Sequence, residues 1–193
     1  MNYLAHSLFC ESNDHILVGQ YCGDFVRGND LAHFPEGVQS GIRLHREIDK
    51  YTDQHPQNLQ ARALFQKPYR RFAGIIIDVL YDHYLASNWH RYCDIPLTEH
   101  ADFVYTALDR HFDLLPPDLQ RFARRTIESR VLESYTDIDS VSRVLALIAR
   151  RSERFNVLEN TAIVIEENGV ALERSFKRFF PDLQAHIHLV THS

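Results

Sequence analysis

Glycine and proline are scarce in this sequence, with seven of each among 193 residues. An all-β fold needs many tight turns, and these two residues most readily form them, so helices are favoured. Hydrophobic residues make up 45% and charged residues 24%, which argues against a disordered or fibrous chain. A chain of this length can bury one core. We therefore expect a single-domain, all-α helical bundle over residues 1–193.

Cysteine and the common catalytic motifs are also rare or absent. The three cysteines, Cys10, Cys22 and Cys93, form no CxxC pair, which argues against a disulfide framework or a thiolate zinc site. We expect reduced, mostly buried thiols. The sequence contains no GxSxG, GxxxxGK[ST], GxGxxG or HExxH motif. Serine hydrolase, P-loop and Rossmann chemistry are therefore disfavoured.

Long hydrophobic runs are missing as well. No segment approaches the roughly 18 apolar residues that span a bilayer, and the N-terminus has no basic segment followed by a long apolar one. We expect a cytoplasmic protein with no membrane partner. The formal net charge of -5 also argues against nucleic acid as the main partner, because binding to phosphates needs clustered positive charge.

Basic residues nevertheless form local clusters, which could each be an ordinary solvated helix face or a site for an acidic partner. The clusters are Lys67 with Arg70 and Arg71, Arg121 with Arg124 and Arg125, Arg150 with Arg151, and Arg174 with Lys177 and Arg178.

The apolar periodicity predicts a succession of helices. Their expected ranges are 2–9, 15–27, 35–52, 56–65, 70–89, 98–113, 117–134, 138–151, 153–167 and 169–190. Gly28 should stop the second helix, and Asn168-Gly169 should form a cap or turn between the last two. Pro181 should break or bend the last one.

Two carboxylates and a histidine lie on the most apolar predicted helix. Asp78 and Asp82 are four residues apart, so they share a helix face about 5–6 Å from each other, and His83 follows directly. Buried carboxylates need a partner or a metal, and an oxygen ligand beside an imidazole suits divalent-metal chemistry on phosphoesters. In the alternative interpretation, Asp78 pairs with Arg70 or Arg71 and His83 only forms a hydrogen bond in the core.

A second constellation occurs in LHREIDKYTD, where His45, Asp49 and Asp53 follow one another at four-residue spacing. One helix face thus presents an imidazole and two carboxylates. It could be ordinary charge patterning, with Arg43 or Arg46 pairing with a carboxylate. It could equally hold a metal ligand and the group that orients it.

Asp24 forms a third candidate, because it lies among apolar and aromatic neighbours in GQYCGDFVRGN. Arg27 could simply neutralise it, or Asp24 could bind a metal while the Arg27 guanidinium binds a phosphate. His6 in NYLAH is a fourth candidate, although a lone histidine on an apolar helix is more often a core residue.

Four of these segments, in one order, resemble the acyl carrier protein phosphodiesterase family. They are MNYLAH, GDFVRGN from Gly23, GIRLHREIDKYTD from Gly41, and DVLYDHYLASNW from Asp78. The resemblance is strong over about residues 1–92 and looser beyond. It implies a helical fold related to the HD-domain phosphohydrolases and a dependence on Mn²⁺, with Mg²⁺ or Fe²⁺ as other candidates. The implied reaction removes 4′-phosphopantetheine from a serine of holo-acyl carrier protein, in fatty acid biosynthesis.

The resemblance also implies a set of site residues. The motif positions are His6, Asp24, His45, Asp49, Asp53, Asp78, Asp82 and His83, with Arg27 and Arg46 as phosphate contacts. We expect Asp24, Asp82 and His83 to hold the metal, with His45, Asp49 or Asp78 completing or supporting the set. A protonated His6 or His45 would donate to the leaving serine.

The implied substrate and this chain are both acidic, so attraction between them must come from a local basic face. The cluster of Lys67, Arg70 and Arg71 is the first candidate, because it directly precedes the helix of Asp78 and Asp82. Two alternatives stay open: an HD-type phosphohydrolase acting on small nucleotides or phosphoesters, and a non-catalytic scaffold in which the Asp and His residues form ion pairs. The sequence does not predict an oligomeric state.

Overall fold

The computed structural model describes residues 2–192, and no strand occurs among them. The α-helices are α1 (Tyr3–Leu8), α2 (Asp14–Cys22), α3 (Glu36–Gln54), α4 (Pro56–Ala63), α5 (Ala73–Ser87), α6 (Leu97–Arg110), α7 (Pro117–Ser129), α8 (Val131–Ser134), α9 (Ile138–Ala149) and α10 (Ala162–Thr191). Short 3₁₀ helices follow some of them, the longest at Glu153–Asn160. The predicted all-α class is confirmed.

The residues gather into two compact units. The first contains residues 3–49 and 88–134, and the second contains Asn2, residues 50–87 and residues 135–192. The prediction of one domain over residues 1–193 stays a prediction, and Met1 and Ser193 lie outside the described residues. None of the helices described is long and apolar enough to cross a membrane.

Helix α2 in the first unit ends earlier than its pattern predicts. The Asn13 side chain caps its first turn by accepting from the backbone N–H groups of His15 and Ile16. The helix stops at Cys22 and does not continue to Arg27. The guanidinium of Arg46 donates to the Val26 carbonyl at 3.0 Å, so this carbonyl has a partner outside a helix. The Val26 carbonyl therefore needs no backbone N–H from a continued helix, and the chain can leave the helical path after Cys22.

Helix α10 in the second unit corrects another prediction, because it runs unbroken through Asn168-Gly169 and Pro181 for 30 residues. Its buried stripe continues on both sides of these positions and holds the helix together. The buried residues of the stripe are Val164, Ile165, Leu172, Ser175, Phe176, Phe179, Phe180, Leu183 and Ile187. The predicted helix 153–167 is replaced by the 3₁₀ segment and the start of α10.

The cysteines match expectation within the described residues. All three are free, with Cys10 and Cys22 buried and Cys93 partly exposed. Burial raises the pKa of the Cys10 thiol to about 11 and that of Cys22 to about 12. Both are therefore poor nucleophiles at neutral pH.

Candidate metal centre

Two glycines let α2 and α3 touch backbone to backbone in the first unit. A Cβ on Gly19 would lie 2.2 Å from the Val38 carbonyl oxygen, and one on Gly41 would lie 2.2 Å from that of Ile16. No side chain larger than hydrogen fits at either position without moving the helices apart. This close crossing fixes the register of α3, and His45 lies one turn beyond it.

A third glycine makes room for the histidine itself. A Cβ on Gly23 would lie 2.2 Å from both Cγ and Cδ2 of the His45 ring. The imidazole therefore packs directly on the end of α2, beside Asp24. Because of this packing, two sequence segments about twenty residues apart contribute to one site.

Four predicted residues meet at this point, on α1, α3 and the turn after α2. The rings of His6 and His45 stack with centroids 3.9 Å apart and an interplanar angle of 14°. Both are buried, with side-chain exposures of 1% and 3%, whereas the Asp49 side chain is 40% exposed. Asp49 bridges them, with Oδ1 3.2 Å from His6 Nε2 and Oδ2 3.1 Å from His45 Nε2. The Asp24 Oδ1 atom lies 3.4 Å from His45 Nε2.

Two further side chains orient this group, and neither was predicted from the sequence. The fully buried Gln20 places Oε1 3.2 Å from His6 Nδ1. An amide oxygen only accepts, so the proton of a neutral His6 sits on Nδ1 and the Nε2 lone pair faces Asp49. The Tyr3 hydroxyl donates to Asp24 Oδ2 at 3.1 Å. Gln20 lies one helical turn before Asp24, and that spacing is the only signal the sequence offers for it.

Burial and charge set the protonation of the group. Burial, together with the neighbouring His45, lowers the pKa of His6 to about 4, although Asp49 opposes the shift. Burial alone would also lower the pKa of His45, but the contacts with Asp24 and Asp49 outweigh it and raise the pKa to about 9. Burial would raise the pKa of both carboxyls, yet His45 holds each below its usual range, with His6 adding to the effect at Asp49.

This donor set fits a divalent metal ion. One ligand atom each from His6, His45 and Asp49 lies within 4.8 Å of the other two. Within the part of the chain that the structure describes, Nε2 of both histidines is buried without a partner in hydrogen-bonding geometry. Each of these nitrogens lies within 3.2 Å of an Asp49 carboxylate oxygen, so the three side chains are close enough to share one ion. Two imidazoles and a carboxylate suit Mn²⁺, Fe²⁺ or Zn²⁺.

The other predicted metal group, Asp78, Asp82 and His83, lies on α5 in the second unit. Asp82 is completely buried and Asp78 partly so. His83 places Nδ1 2.8 Å from the Tyr135 carbonyl oxygen, so it donates a hydrogen bond to the backbone. The alternative interpretation of the sequence expected such a hydrogen bond. A histidine held in this way can still ligate through Nε2. The assignment of these three residues as ligands stays a prediction.

The predicted basic contacts and Asp53 are placed as follows. Arg27 is exposed, whereas Arg46 is half-buried and donates to Asn29 Oδ1 at 3.2 Å as well as to the Val26 carbonyl. Arg46 therefore holds the turn that carries Arg27. Asp53 pairs with Arg62 in the second unit. Lys67, Arg70 and Arg71 are exposed in the second unit, and among the described residues neither arginine forms an ion pair with Asp78.

Comparison with known proteins agrees with the family resemblance. A family model described as acyl carrier protein phosphodiesterase matches residues 1–183. Relatives with the same name occur in Salmonella paratyphi A, 33% identical over 96% of both chains, and in Serratia proteamaculans, 34% identical over 95% of both. Another, from Photorhabdus laumondii, is 34% identical over 94% of this chain and 92% of its own. No solved structure matches, so the likeness to HD-domain phosphohydrolases stays a prediction. The chain belongs to the acyl carrier protein phosphodiesterase family.

Proposed function

We propose that this protein is a Mn²⁺-dependent phosphodiesterase that releases 4′-phosphopantetheine from holo-acyl carrier protein. Membership of the family supports the reaction and the substrate. The observation that carries the metal dependence is the convergence of His6, His45 and Asp49, with both Nε2 atoms buried and lacking hydrogen-bond partners in the described chain. We also propose that the reaction takes place in the cytoplasm and serves fatty acid biosynthesis.

The metal would be held by His6 Nε2, His45 Nε2 and Asp49, with Asp24 beside His45 as a further carboxylate. Two imidazole donors disfavour Mg²⁺, which prefers oxygen ligands. Among the ions that suit this donor set, Mn²⁺ is the one that the family resemblance implies. When bound, the ion would lower the pKa of a coordinated water and offset charge on the phosphate. This proposed set differs from the expected one mainly in His6, which was expected only as a proton donor. His45 and Asp49 were already expected to complete or support the set.

The surrounding side chains would keep this group ready to bind the ion. Gln20 holds His6 in the tautomer that presents Nε2, and its own burial fixes the ring orientation. Tyr3 holds one oxygen of Asp24 and leaves the other near His45. These contacts reduce the ordering that ion binding would otherwise require.

Arg27 is the proposed phosphate contact. It is exposed three residues after Asp24, on the turn that Arg46 fixes through Val26 and Asn29. A guanidinium can donate two hydrogen bonds to phosphate oxygens, and it would offset charge that develops on them. In the reaction, water adds to phosphorus and the bond to the serine oxygen breaks. The products are apo-carrier protein, which takes up a proton on that serine, and free 4′-phosphopantetheine.

The test is incubation of the purified protein with holo-acyl carrier protein and Mn²⁺, followed by mass spectrometry of the carrier. We expect conversion to the apo form and no conversion after chelation of the metal. Turnover of free nucleotides without turnover of the carrier would instead support the nucleotide phosphohydrolase. Absence of both activities and of bound metal would support the scaffold, in which Asp49 and His45 are simply an ion pair.

The α5 group needs a separate measurement. We retain Asp78, Asp82 and His83 as proposed ligands on the strength of the family motif alone. If they hold a metal, Asp82→Asn should lower the metal content of the purified protein. An unchanged metal content would restrict the ligands to the His6 group.

A further inference from the structure

Two basic stretches that are about eighty residues apart in the sequence come together in the second unit. Phe72 contacts Phe155 with ring centroids 5.9 Å apart at 66°. The Tyr69 hydroxyl donates to the Asn160 carbonyl at 2.6 Å. These two contacts join the segment before α5 to the segment between α9 and α10.

The joined segments form what we call the basic surface. Its six cations are all exposed: Lys67, Arg70, Arg71, Arg150, Arg151 and Arg154. Two of the guanidinium groups lie over the joining rings, at 5.5 Å from the Phe72 centroid and 4.5 Å from that of Phe155. Stretches 67–72 and 150–155 contain one acidic residue, Glu153, so six positive charges and one negative charge leave an excess of five.

The six cations are also unpaired, since no ion pair involving any of them occurs within residues 2–192. Many other basic residues of the chain do have acidic partners. The examples are Arg62 with Asp53, Arg110 with Asp14, Arg130 with Asp102 and Glu133, Arg143 with Asp137, and Lys177 with Glu173. Clustered like charges repel each other, so a surface of this kind does not stabilise the fold. It suits an anionic partner.

An exposed leucine distinguishes between kinds of anionic partner. Leu147 on α9 is 59% exposed, and the exposed Arg150 and Arg151 directly follow the end of this helix at Ala149, within four residues of Leu147. An apolar residue beside arginines is typical of protein interfaces, where an apolar centre is surrounded by a charged rim. Nucleic acid would use the cations without the leucine, and the chain's net charge of -5 opposes its approach.

We propose that the basic surface, with Leu147, is the docking site for the protein substrate, and that the face of the acyl carrier protein that binds it carries carboxylates. The identity of the partner rests on the proposed function. The surface extends the cluster of Lys67, Arg70 and Arg71 by three arginines that the sequence places far from it.

The test measures binding of apo-acyl carrier protein, which has no scissile bond, by calorimetry at low and high salt. The variant R150E/R151E/R154E should bind about 30-fold more weakly at low salt, and the difference should shrink as salt rises. The control R174E/K177E/R178E changes the same number of exposed charges on α10 and should bind within about threefold of the wild type. The milder R150Q/R151Q/R154Q should lose about fivefold, and circular dichroism should show that each variant is folded.

Hydrolysis of a small phosphodiester separates this inference from the proposed function. If the unaltered protein cleaves neither the small ester nor holo-carrier protein, the proposed function fails while the binding result still stands. With activity present, the ratio of carrier hydrolysis to small-ester hydrolysis should fall at least tenfold in R150E/R151E/R154E. The docking site is overturned if carrier binding is unchanged, if the α10 control loses as much, or if RNA or anionic vesicles compete the carrier off.

Discussion

Metal affinity should depend on pH through a single group, His45. Its contacts with Asp24 and Asp49 raise the pKa to about 9 in the metal-free protein, so at pH 7 a metal ion must displace a proton from it. His6 adds nothing above about pH 5, because burial lowers its pKa to about 4. Both carboxyls are already ionised, since their pKa values are lowered. We therefore expect about one proton released per ion bound.

The size of the effect follows from that count. With one proton displaced, the apparent Kd for Mn²⁺ should fall about tenfold for each pH unit between 6 and 8 and level off as pH approaches 9. Calorimetry in two buffers of different ionisation enthalpy measures the proton count directly. His45→Gln should weaken binding and remove the dependence, whereas His90→Gln, at an exposed position of the same unit, should alter neither. A Kd that does not change between pH 6 and 8 would refute this reasoning.

Three other changes test the supporting structure. Gly23→Ala places a Cβ 2.2 Å from the His45 ring and should weaken Mn²⁺ binding more than tenfold in a calorimetric titration. Gln20→Leu removes the acceptor for His6 Nδ1 and should weaken metal binding by about 10- to 100-fold, with a change of His6 tautomer in ¹⁵N NMR. Burial lowers the pKa of His100 to about 4, so its stabilising contribution is present above pH 6.5 and is lost as pH falls. In the wild type, uptake of a proton by His100 on unfolding should raise the unfolding constant, measured with urea, by up to tenfold per pH unit below 6.5. His100→Phe should remove this part of the pH dependence.

Each of these changes has an outcome that contradicts it. Gly169→Ala is the control for Gly23→Ala, because a Cβ there meets nothing within 4 Å; equal losses in both would mean that the His45 ring is not the cause. Wild-type metal affinity in Gln20→Leu would show that His6 needs no fixed tautomer. If the unfolding constant of His100→Phe depended on pH as it does in the wild type, His100 would take up a proton as readily in the folded state as in the unfolded state.

Local spacing predicted the helices well where the apolar stripe and the turn residues agreed, as in α3. It failed where tertiary contacts decided the outcome. Asn168-Gly169 and Pro181 look like helix stops, yet α10 continues through them because its buried stripe does. Helix α2 stops at Cys22, because beyond it the His45 ring packs against Gly23 and Arg46 binds the Val26 carbonyl. Neither contact is visible in a local window.

In the candidate site, too, local spacing predicted some features and tertiary contacts decided the others. The pairing of His45 with Asp49 follows from four-residue spacing. His6 and Asp24 were separate candidates in the sequence, and the family resemblance joined them to that pair. The sequence did not predict the low pKa of His6, which disfavours it as a proton donor, because that pKa depends on burial. The contact of His6 with Gln20 is likewise a feature of the folded chain. Gln20 and Tyr3 were missed because uncharged side chains in apolar helices carry no charge pattern. The close approach of α2 and α3 at Gly19 and Gly41 sets the position of α3 that brings His45 beside Asp24.

The most direct test of the metal site compares two aspartates on one helix. Asp49 bridges His6 and His45, whereas Asp53, one turn later, pairs with Arg62. Mn²⁺ binding should be stoichiometric in the wild type and in Asp53→Asn, and it should be lost in Asp49→Asn together with release of 4′-phosphopantetheine from holo-acyl carrier protein. Retention of Mn²⁺ and of that activity in Asp49→Asn would contradict the proposed site.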